Sequence, residues 1–246
     1  MPGLGTLINI AAILVGSTVG VLIGHRFPER TRVTVTDALG LVVLVIGALN
    51  LFALADPAYR DAVTEAGTLL VVLAAILIGG IIGSLLRIEY RLEQFGGWLQ
   101  RRFTKGDEPR ARFIDGFVTA SLVFCIGPLA ILGPLSDGLG KGIEQLALKS
   151  VLDGFASLAF AATFGWGVAA SAISVGLFQG LVTVIGFFAG SVLPAALIAS
   201  ITATGGILLL GVGIRMLHIK AIAVGDLLPA LLVAPVLTAI VGNILT

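Results

Sequence analysis

The chain has 246 residues, of which 57% are hydrophobic and 12% are charged, with a formal net charge of +1. Soluble domains carry about 25% charged residues, so this composition argues against a soluble domain. Disorder is excluded because it requires low hydrophobicity, and the small net charge gives no indication of a nucleic-acid partner. The composition therefore predicts an integral membrane protein whose partner is the lipid bilayer.

Apolar runs of about 20 residues recur along the chain, and each can cross a hydrocarbon core of about 30 Å as a helix. The runs are continuous rather than alternating, which favours helices over a closed barrel. The first run lacks a basic start and is too long for a signal peptide, so we expect a retained membrane helix. We predict an all-α polytopic protein, one transmembrane domain over residues 1–246, with about eight spans at 4–24, 38–54, 68–86, 113–135, 146–169, 173–193, 195–217 and 227–245.

The breaks on either side of the sixth span are weakly marked. The segment "GVAASAI" carries no charge, and "SVLPAALI" contains only a proline as a turn signal. Either segment can form a tight turn buried within the protein. The count of eight spans therefore has to be tested against the distribution of charged residues among the loops.

Basic residues are distributed unequally among the predicted loops. With the N-terminus outside, the inner loops hold twelve Lys and Arg residues, whereas the outer loops hold Arg60 and Lys141, with Lys149 at or in a span. Cytoplasmic loops carry an excess of Lys and Arg. We therefore predict a multi-pass inner-membrane protein with its N-terminus outside and its basic loops in the cytoplasm. Merging the fifth and sixth spans would move Arg215 and Lys220 outside, which this bias disfavours.

The longest inner loop covers residues 87–112 and begins "RIEYRLEQFGGWLQRRF". Its apolar residues are spaced to share one helix face, which predicts an amphipathic helix at the cytoplasmic interface. The alternative is an ordinary basic loop, and the Gly96-Gly97 pair favours it because glycine weakens helices. The residues of the predicted apolar face are Leu92, Phe95, Trp98, Leu99 and Phe103.

The sequence has no pattern typical of an enzyme. It contains no metal-ligand cluster, nucleotide-binding loop or hydrolase motif. The single cysteine, Cys125, lies in an apolar run and excludes an intrachain disulfide, and His25 and His218 lie at span ends. We expect a protein that is not an enzyme and that has no metal and no cofactor.

Glycines mark an internal repeat. The segment "AAILVGSTVG" in the first span and "AAILIGGIIG" in the third are identical at six of ten positions. The sixth span, "LVTVIGFFAG", keeps the glycines and the apolar character. Each segment carries Gly-x-x-x-Gly, whose default role is close helix packing. The glycine pairs are Gly16/Gly20, Gly79/Gly83 and Gly186/Gly190.

The spans that follow these three segments align at Gly47, Gly127 and Gly213. This predicts three helical hairpins, formed by spans one and two, three and four, and six and seven. The fifth span is an unpaired crossing, so the third hairpin would be inverted relative to the first two. Inverted repeats are typical of secondary transporters.

The fourth span ends "CIGPLAILGPLSDGLGKG" and contains two prolines, each preceded by glycine. Proline removes a backbone donor and disturbs the preceding turn, so a broken or kinked span is predicted. The freed carbonyls could coordinate a cation or water, or the kink could be structural, with an outer turn at 136–138. The kink residues are Gly127, Pro128, Gly133 and Pro134, and Asp137 lies in the turn.

A polar stripe follows on the fifth span. Lys149, Asp153 and Ser157 share a helix face at four-residue spacing, with an apolar body around them. The pair is either a buried salt bridge or a binding group in which Asp153 accepts a cation or proton. Isolated buried ion pairs rarely add stability, which favours the binding group. Flanking the stripe are Ser150 and Gly154, and the opposite side carries Leu148, Leu152 and Phe155.

Three further polar residues, Asn9, Asn50 and Gln179, lie within the first, second and sixth spans. Polar groups at membrane depth are costly without a partner. Interhelical hydrogen bonding is the simplest interpretation, at about 0.6–2 kcal/mol each. A contribution to a binding site is the other interpretation.

Four segments occur in a characteristic order: "GTLIN", "FCIGPLAILGPLSDGL", "KSVLDG" and "FQG". Together they resemble the YqgA-like (YdfK-like) family of prokaryotic integral membrane proteins, a domain of unknown function, over nearly the whole chain. The resemblance implies an inner-membrane protein, proposed at most to be a transporter. Leu129 and Ser136 depart from the family pattern, so no side-chain role is carried over there. The residues carried over are Asn9, Cys125, Gly127, Asp137, Gly138, Lys149, Ser150, Asp153, Gly154 and Gln179.

These patterns predict a secondary transporter or a permeation pathway for a small solute or ion, with its site between the kinked fourth span and the polar face of the fifth. The alternative is a non-transporting membrane scaffold or a partner subunit of a membrane complex, with a dry stripe and a functional basic loop. Small residues allow a homodimer without requiring one. The predicted binding residues are Asp153, Lys149, Ser150, Ser157, Asp137, Asn9 and Gln179.

Overall fold

The computed structural model describes residues 2–24, 26–103, 109–189 and 193–245, and within these ranges the chain is helical with no β-strand. The helices are α1 (Leu4–Gly24), α2 (Glu29–Asn50), α3 (Pro57–Val63), α4 (Glu65–Leu86), α5 (Ile88–Phe103), α6 (Arg110–Cys125), α7 (Pro128–Gly138), α8 (Glu144–Phe164), α9 (Gly167–Ala189), α10 (Ala195–Met216), α11 (Val224–Leu227) and α12 (Ala230–Leu245). A 3₁₀ turn, Leu51–Ala55, follows α2. Gly190 and His25 lie outside the described residues.

Among the described helices, seven stretches are long and apolar enough to cross a membrane. The pair α6–α7 passes the same test together and is bent by 63° at its break, which makes eight spans if the pair is one crossing. The prediction of an all-α polytopic membrane protein is confirmed.

Several boundaries differ from the predicted ones. Helix α2 begins at Glu29, next to Pro28, rather than at residue 38. The break between the fifth and sixth spans lies at 165–166 and not within 169–173. Gly165 has φ +76°, a left-handed conformation that suits glycine and ends α8. The segment "GVAASAI" is instead the first two turns of α9.

The described chain forms two compact groups of helices. The first unit comprises Met1–Leu39, Leu92–Cys125 and Leu129–Val192, and the second comprises Gly40–Arg91, Ile126–Pro128 and Leu193–Thr246. Each unit is described by itself below. The prediction of a single transmembrane domain stays a prediction.

In the first unit, α1 and α8 pack closely and run parallel. Gly16, Gly20 and Gly24 follow one another along α1, and a methyl group added at any of them would overlap a backbone carbonyl oxygen of α8. The carbonyls belong to Gly154, Leu158 and Ala162, in the same order along the chain. Small residues at four-residue spacing therefore bring two backbones together, as in other membrane helix pairs.

The bent pair α6–α7 extends along the whole length of α1. At the start of α6, Arg112 Nε donates a hydrogen bond to the Thr163 carbonyl at 2.7 Å, beside the end of α8. At the end of α7, Asp137 accepts a hydrogen bond from the backbone N–H of Gly5, at the start of α1. Because α1 and α8 run in parallel, the two contacts show that α6–α7 connects one end of this unit to the other.

Helix α5 is present in the longest predicted loop, and its glycines have a packing role. A methyl group at Gly96 would lie 2.9 Å from the Phe117 ring, and one at Gly97 would lie 3.0 Å from Arg110 Nη2. Leu99 is buried, whereas Trp98 is half exposed and stacks on Phe95. The predicted apolar face is therefore divided between protein contacts and the surface. The placement of α5 at a membrane interface stays a prediction.

In the second unit, α4 packs against α11 and α12. A methyl group at Gly79 would overlap the backbone of Ala230, and one at Gly83 would overlap the carbonyl of Asp226. The order is reversed along the partner, so the two elements run antiparallel. Gly47 of α2 contacts Gly206 of α10, where an added methyl group would lie 2.9 Å from the carbonyl oxygen. The inverted third hairpin stays a prediction.

Helix α3 was not predicted from the sequence and lies in the second unit, between two spans. Asp56 caps its start, accepting from the Tyr59 N–H at 3.3 Å, and Pro57 occupies its first turn. The Tyr59 hydroxyl donates to the Thr68 carbonyl at 3.2 Å. Tyr59 is fully buried in an apolar cluster with Val63. Burial raises the pKa of Tyr59 to about 12.

Candidate functional site

Lys149 and Asp153 form a buried ion pair on α8. Lys149 Nζ lies 2.7 Å from Asp153 Oδ2 and 2.9 Å from Oδ1, and the two side chains are 8% and 9% exposed. The pairing follows from helix geometry, which places residues four apart on one face. The opposite side of α8 carries exposed apolar side chains: Leu148, Leu152 and Phe155. The helix thus directs its charges into the protein.

Two amide side chains from other helices complete this site. Asn9 of α1 donates from Nδ2 to Asp153 Oδ2 at 3.0 Å and to Gln179 Oε1 of α9 at 3.3 Å. Both amide side chains are fully buried. Three helices of the first unit therefore converge on one hydrogen-bonded group. We call Lys149, Asp153, Asn9 and Gln179 the polar centre.

The hydrogen bonds of the polar centre fix the orientation of both amides. An ionised carboxylate only accepts hydrogen bonds, so the Asn9 atom that faces Asp153 is the Nδ2 donor. The Gln179 atom that faces the same Nδ2 is then the Oε1 acceptor. Asn9 Oδ1 and Gln179 Nε2 have no hydrogen-bond partner among the described residues, although both are buried. One acceptor and one donor group of the polar centre are therefore unfilled.

Ser150 and Ser157, predicted as binding residues, are buried but bond within α8. Ser150 Oγ donates to the Leu146 carbonyl at 2.7 Å, and Ser157 Oγ donates to the Gly154 carbonyl at 2.8 Å. Such bonds to the preceding turn satisfy a hydroxyl donor locally. Neither serine therefore hydrogen-bonds to the polar centre among the described residues.

Asp137 is buried at the end of α7 and caps the start of α1. Its Oδ2 accepts from the backbone N–H of Gly3 at 3.0 Å and of Gly5 at 3.1 Å. A carboxylate at a helix N-terminus bonds the unpaired N–H groups and complements the helix dipole. Asp137 therefore bonds the backbone at the start of α1 and not a residue of the polar centre.

The break between α6 and α7 lies at Gly127, which has φ +139° and precedes Pro128, the first residue of α7. Cys125 is the last residue of α6 and is partly buried with a free thiol. Pro134 lies within α7. A methyl group at Gly133 would lie 2.9 Å from Leu146 Cγ, so α7 packs on the first turn of α8. The kinked span and the polar helix are therefore in contact.

Two threonines near the polar centre were missed by sequence reasoning. Thr6 lies three residues before Asn9 on α1, and Thr183 lies four residues after Gln179 on α9. Both are buried, and neither hydroxyl has a partner among the described residues. Helical spacing from the two amides was the available signal.

The two threonines lie toward the same end of the first unit. Asp137 contacts the start of α1, and a methyl group at Gly138 would overlap the Thr183 carbonyl of α9. Helices α1 and α9 are thus antiparallel, with Thr6 and Thr183 both between α7 and the polar centre. A methyl group at Gly186, the next turn of α9, would lie 2.7 Å from the Leu135 carbonyl oxygen.

The described residues contain no group of three or more His, Cys, Asp or Glu side chains that could hold a metal ion.

The chain is similar to known proteins over nearly its full length. Residues 4–239 match the family described as "Protein of unknown function (DUF554)". The chain is 30% identical over 239 residues to "Uncharacterized membrane protein YdfK" of Bacillus subtilis (strain 168), covering 96% of each chain. It is 32% identical over 241 residues to "Uncharacterized protein YqgA" of Escherichia coli (strain K12), again covering 96% of each chain. No solved structure is significantly similar.

Proposed function

This chain belongs to the DUF554 family and is an integral membrane protein, and from that premise we propose that it is a secondary transporter or a permeation pathway for a small solute or ion. The supporting observation is the polar centre, which is buried within three apolar helices and has unfilled hydrogen-bonding atoms. Buried polar groups in structural networks are normally satisfied. A group that binds a passing molecule has a reason to keep free donors and acceptors.

The depth of the polar centre supports the same proposal. Asp153 is the tenth residue of the 21-residue α8, and Gln179 is the thirteenth of the 23-residue α9. Both lie near the middle of their helices, whereas Asn9 and Lys149 are each the sixth residue of a 21-residue helix, about one turn nearer its start. Transporter sites lie near the bilayer midplane, and they are often formed beside discontinuous helices such as α6–α7. We place the solute beside Asp153, with Lys149 as the internal counter-charge.

The proposal includes an orientation. We place the protein in the cell inner membrane with the N-terminus outside and residues 87–112 in the cytoplasm, following the excess of basic residues in those loops. A membrane-impermeant maleimide tests this with two single-cysteine variants in a Cys125→Ser background. Glu65→Cys is expected to react in intact spheroplasts, and Arg101→Cys only after lysis. The reverse pattern contradicts the orientation.

Flux measurements in proteoliposomes test the function. The purified protein is expected to raise the flux of at least one small solute or ion above that of empty liposomes, and Asp153→Asn is expected to abolish the increase. Ser171→Ala is the matched control, since Ser171 is a buried serine of α9 that bonds to its own helix at the Val168 carbonyl. Equal flux through the wild type and Asp153→Asn would show that Asp153 is not on the route.

A scaffold function makes the opposite prediction. It predicts no flux for any solute, together with capture of a membrane partner that is lost when residues 87–112 are replaced. That combination would overturn the transport proposal.

A further inference from the structure

We infer that the polar centre takes a small, uncharged molecule that carries both a hydrogen-bond donor and an acceptor, in the size range of water, formamide, urea or glycerol. The inference rests on the proposed function and names its substrate class. Its basis is the combination of a neutralised charge pair with one unfilled acceptor and one unfilled donor on adjacent side chains.

The charge of the polar centre argues against an ion as its ligand. Lys149 and Asp153 neutralise each other at 2.7 Å. Asp153 Oδ2 already accepts from both Lys149 and Asn9, so a cation would have to displace a donor and would face the ammonium group. An anion would face the carboxylate in the same way. A bare charge taken out of water without a paired counter-charge is strongly disfavoured.

The unfilled atoms define what fits instead. Asn9 Oδ1 accepts one or two hydrogen bonds, and Gln179 Nε2 donates up to two. A molecule with both an N–H or O–H donor and an oxygen acceptor can fill both kinds of position. Buried atoms that stay unpaired are unfavourable, so they discriminate in favour of a molecule that pairs them.

Two hydroxyl groups beside the polar centre have the same chemistry as its amides. Thr6 and Thr183 lie one helical turn from Asn9 and Gln179, toward α7, and both hydroxyls are buried without a partner among the described residues. Each hydroxyl can donate and accept. These uncharged groups suit a neutral polar molecule that exchanges hydrogen bonds from turn to turn. In this proposal the molecule enters from the α7 end of the first unit, where Thr6 and Thr183 lie.

Stopped-flow light scattering of proteoliposomes tests the substrate class. Osmotic gradients of formamide, urea and glycerol report neutral-solute entry, and a sucrose gradient reports water. Ion-sensitive dyes report Na⁺, K⁺, Cl⁻ and H⁺ in the same vesicles. The full-length protein is expected to accelerate water or at least one of the neutral solutes and to leave the ion fluxes at the level of empty liposomes.

Two variants connect the flux to the unfilled atoms. Gln179→Leu removes the Nε2 donor, and Thr183→Val removes a hydroxyl that makes no bond within the described protein, so the second variant has little reason to unfold. Each is expected to lower neutral flux at least about fivefold. Ser171→Ala on the same helix is expected to leave the flux unchanged. Neutral flux that is unaffected by both variants would overturn the inference.

The outcomes separate this inference from the proposed function. Ion or proton flux that Asp153→Asn abolishes, without any acceleration of the neutral molecules, would overturn the neutral substrate and retain the transport function. No flux of either kind would overturn both.

Discussion

Each unit contains an ion pair, one within a single helix and one between two helices, and the two pairs have different hydrogen-bond partners. In the second unit, Glu89 pairs with Arg215 and also accepts from the backbone N–H of Gly225 at 2.6 Å. The Glu89 N–H in turn donates to Asp226 Oδ1 at 2.9 Å. The carboxylates here fill the backbone donors at the starts of α5 and α11. These bonds connect three helices of the chain: α5, α10 and α11.

The pair in the first unit bonds no backbone group among the described residues. Lys149 and Asp153 bond to each other, and Asp153 also accepts from Asn9. The adjoining amides retain unfilled atoms. The two pairs therefore differ in the unfilled hydrogen-bonding atoms beside Lys149 and Asp153, and the proposed function uses this difference.

The largest expected effect on stability is at Asp153. Variants there test whether the two ion pairs differ in function. Asp153→Asn leaves Lys149 as an uncompensated buried charge and is expected to lower the free energy of unfolding by about 3–5 kcal/mol. The double variant Lys149→Met/Asp153→Asn is expected to regain most of that loss. Thermal unfolding in detergent measures both.

Flux decides how this result is interpreted. If the pair binds solute, flux stays lost in the double variant although stability returns. A double variant that is stable and transports would show that the pair is structural, like its counterpart in the second unit.

Glu89→Gln is expected to have the next largest effect, and on stability alone. It weakens a charge-assisted bond to Arg215 and one to the Gly225 N–H, each worth about 1.5–3 kcal/mol when charged. Its side chain is 13% exposed, so solvent reduces the loss. We expect a lower unfolding temperature with solute flux retained per folded protein. If Glu89→Gln lost solute flux without losing stability, the Glu89–Arg215 pair would also have a role in transport, and the two pairs would not differ in function.

The glycine contacts allow a comparison of helix packing in the two units. Gly20→Ala would overlap the Leu158 carbonyl, and Gly83→Ala would overlap that of Asp226, so each is expected to cost about 1–3 kcal/mol. Gly180→Ala is the control, because no heavy atom of the described residues lies within 4 Å of the added methyl group. That control is expected to be neutral or slightly stabilising, since alanine restricts the unfolded chain. Equal effects at all three positions would contradict the close packing.

The smallest expected effect on stability concerns Tyr59 of the second unit. Its buried hydroxyl donates a hydrogen bond to the Thr68 carbonyl. Its pKa rises to about 12 from the ordinary value of 10. The folded state thus holds the phenolic proton more tightly than the unfolded state. The resulting stability is complete below pH 10 and is lost as the pH rises through about 12.

Ultraviolet absorbance of phenolate measures this pKa in a Tyr90→Phe variant, in which Tyr59 is the remaining tyrosine of the sequence. Titration near pH 10 in the folded protein would contradict the burial of Tyr59.

The sequence predicted those features of the site that depend on local geometry. Lys149, Asp153 and Ser157 are four residues apart, and the helical repeat places them on one face in any fold. The break at Gly127-Pro128 was visible because proline and a left-handed glycine act within one turn. The α8–α9 boundary was misplaced because Gly165 precedes a stretch of small residues that suits both a turn and a helix.

The role of Asp137 could not be predicted from local patterns. Its place in "SDG" indicated an outer turn, whereas the structure gives its carboxylate to the start of α1. The same holds for Thr6 and Thr183, whose significance depends on their neighbours across the helix contact. Gly96 and Gly97 favoured a loop, but they allow α5 to pack against its neighbours.

The all-helical class, the approximate spans and the charged face of α8 follow from the amino-acid order, because hydrophobic length and helical periodicity are properties of consecutive residues. The bonds of Asn9 to Asp153, 144 residues away, and to Gln179, 170 residues away, depend on how the helices pack. The packing depends in turn on the glycines of α1, which let its backbone touch that of α8. That contact brings the amide of α1 to the carboxylate, and the polar centre exists only where those faces meet.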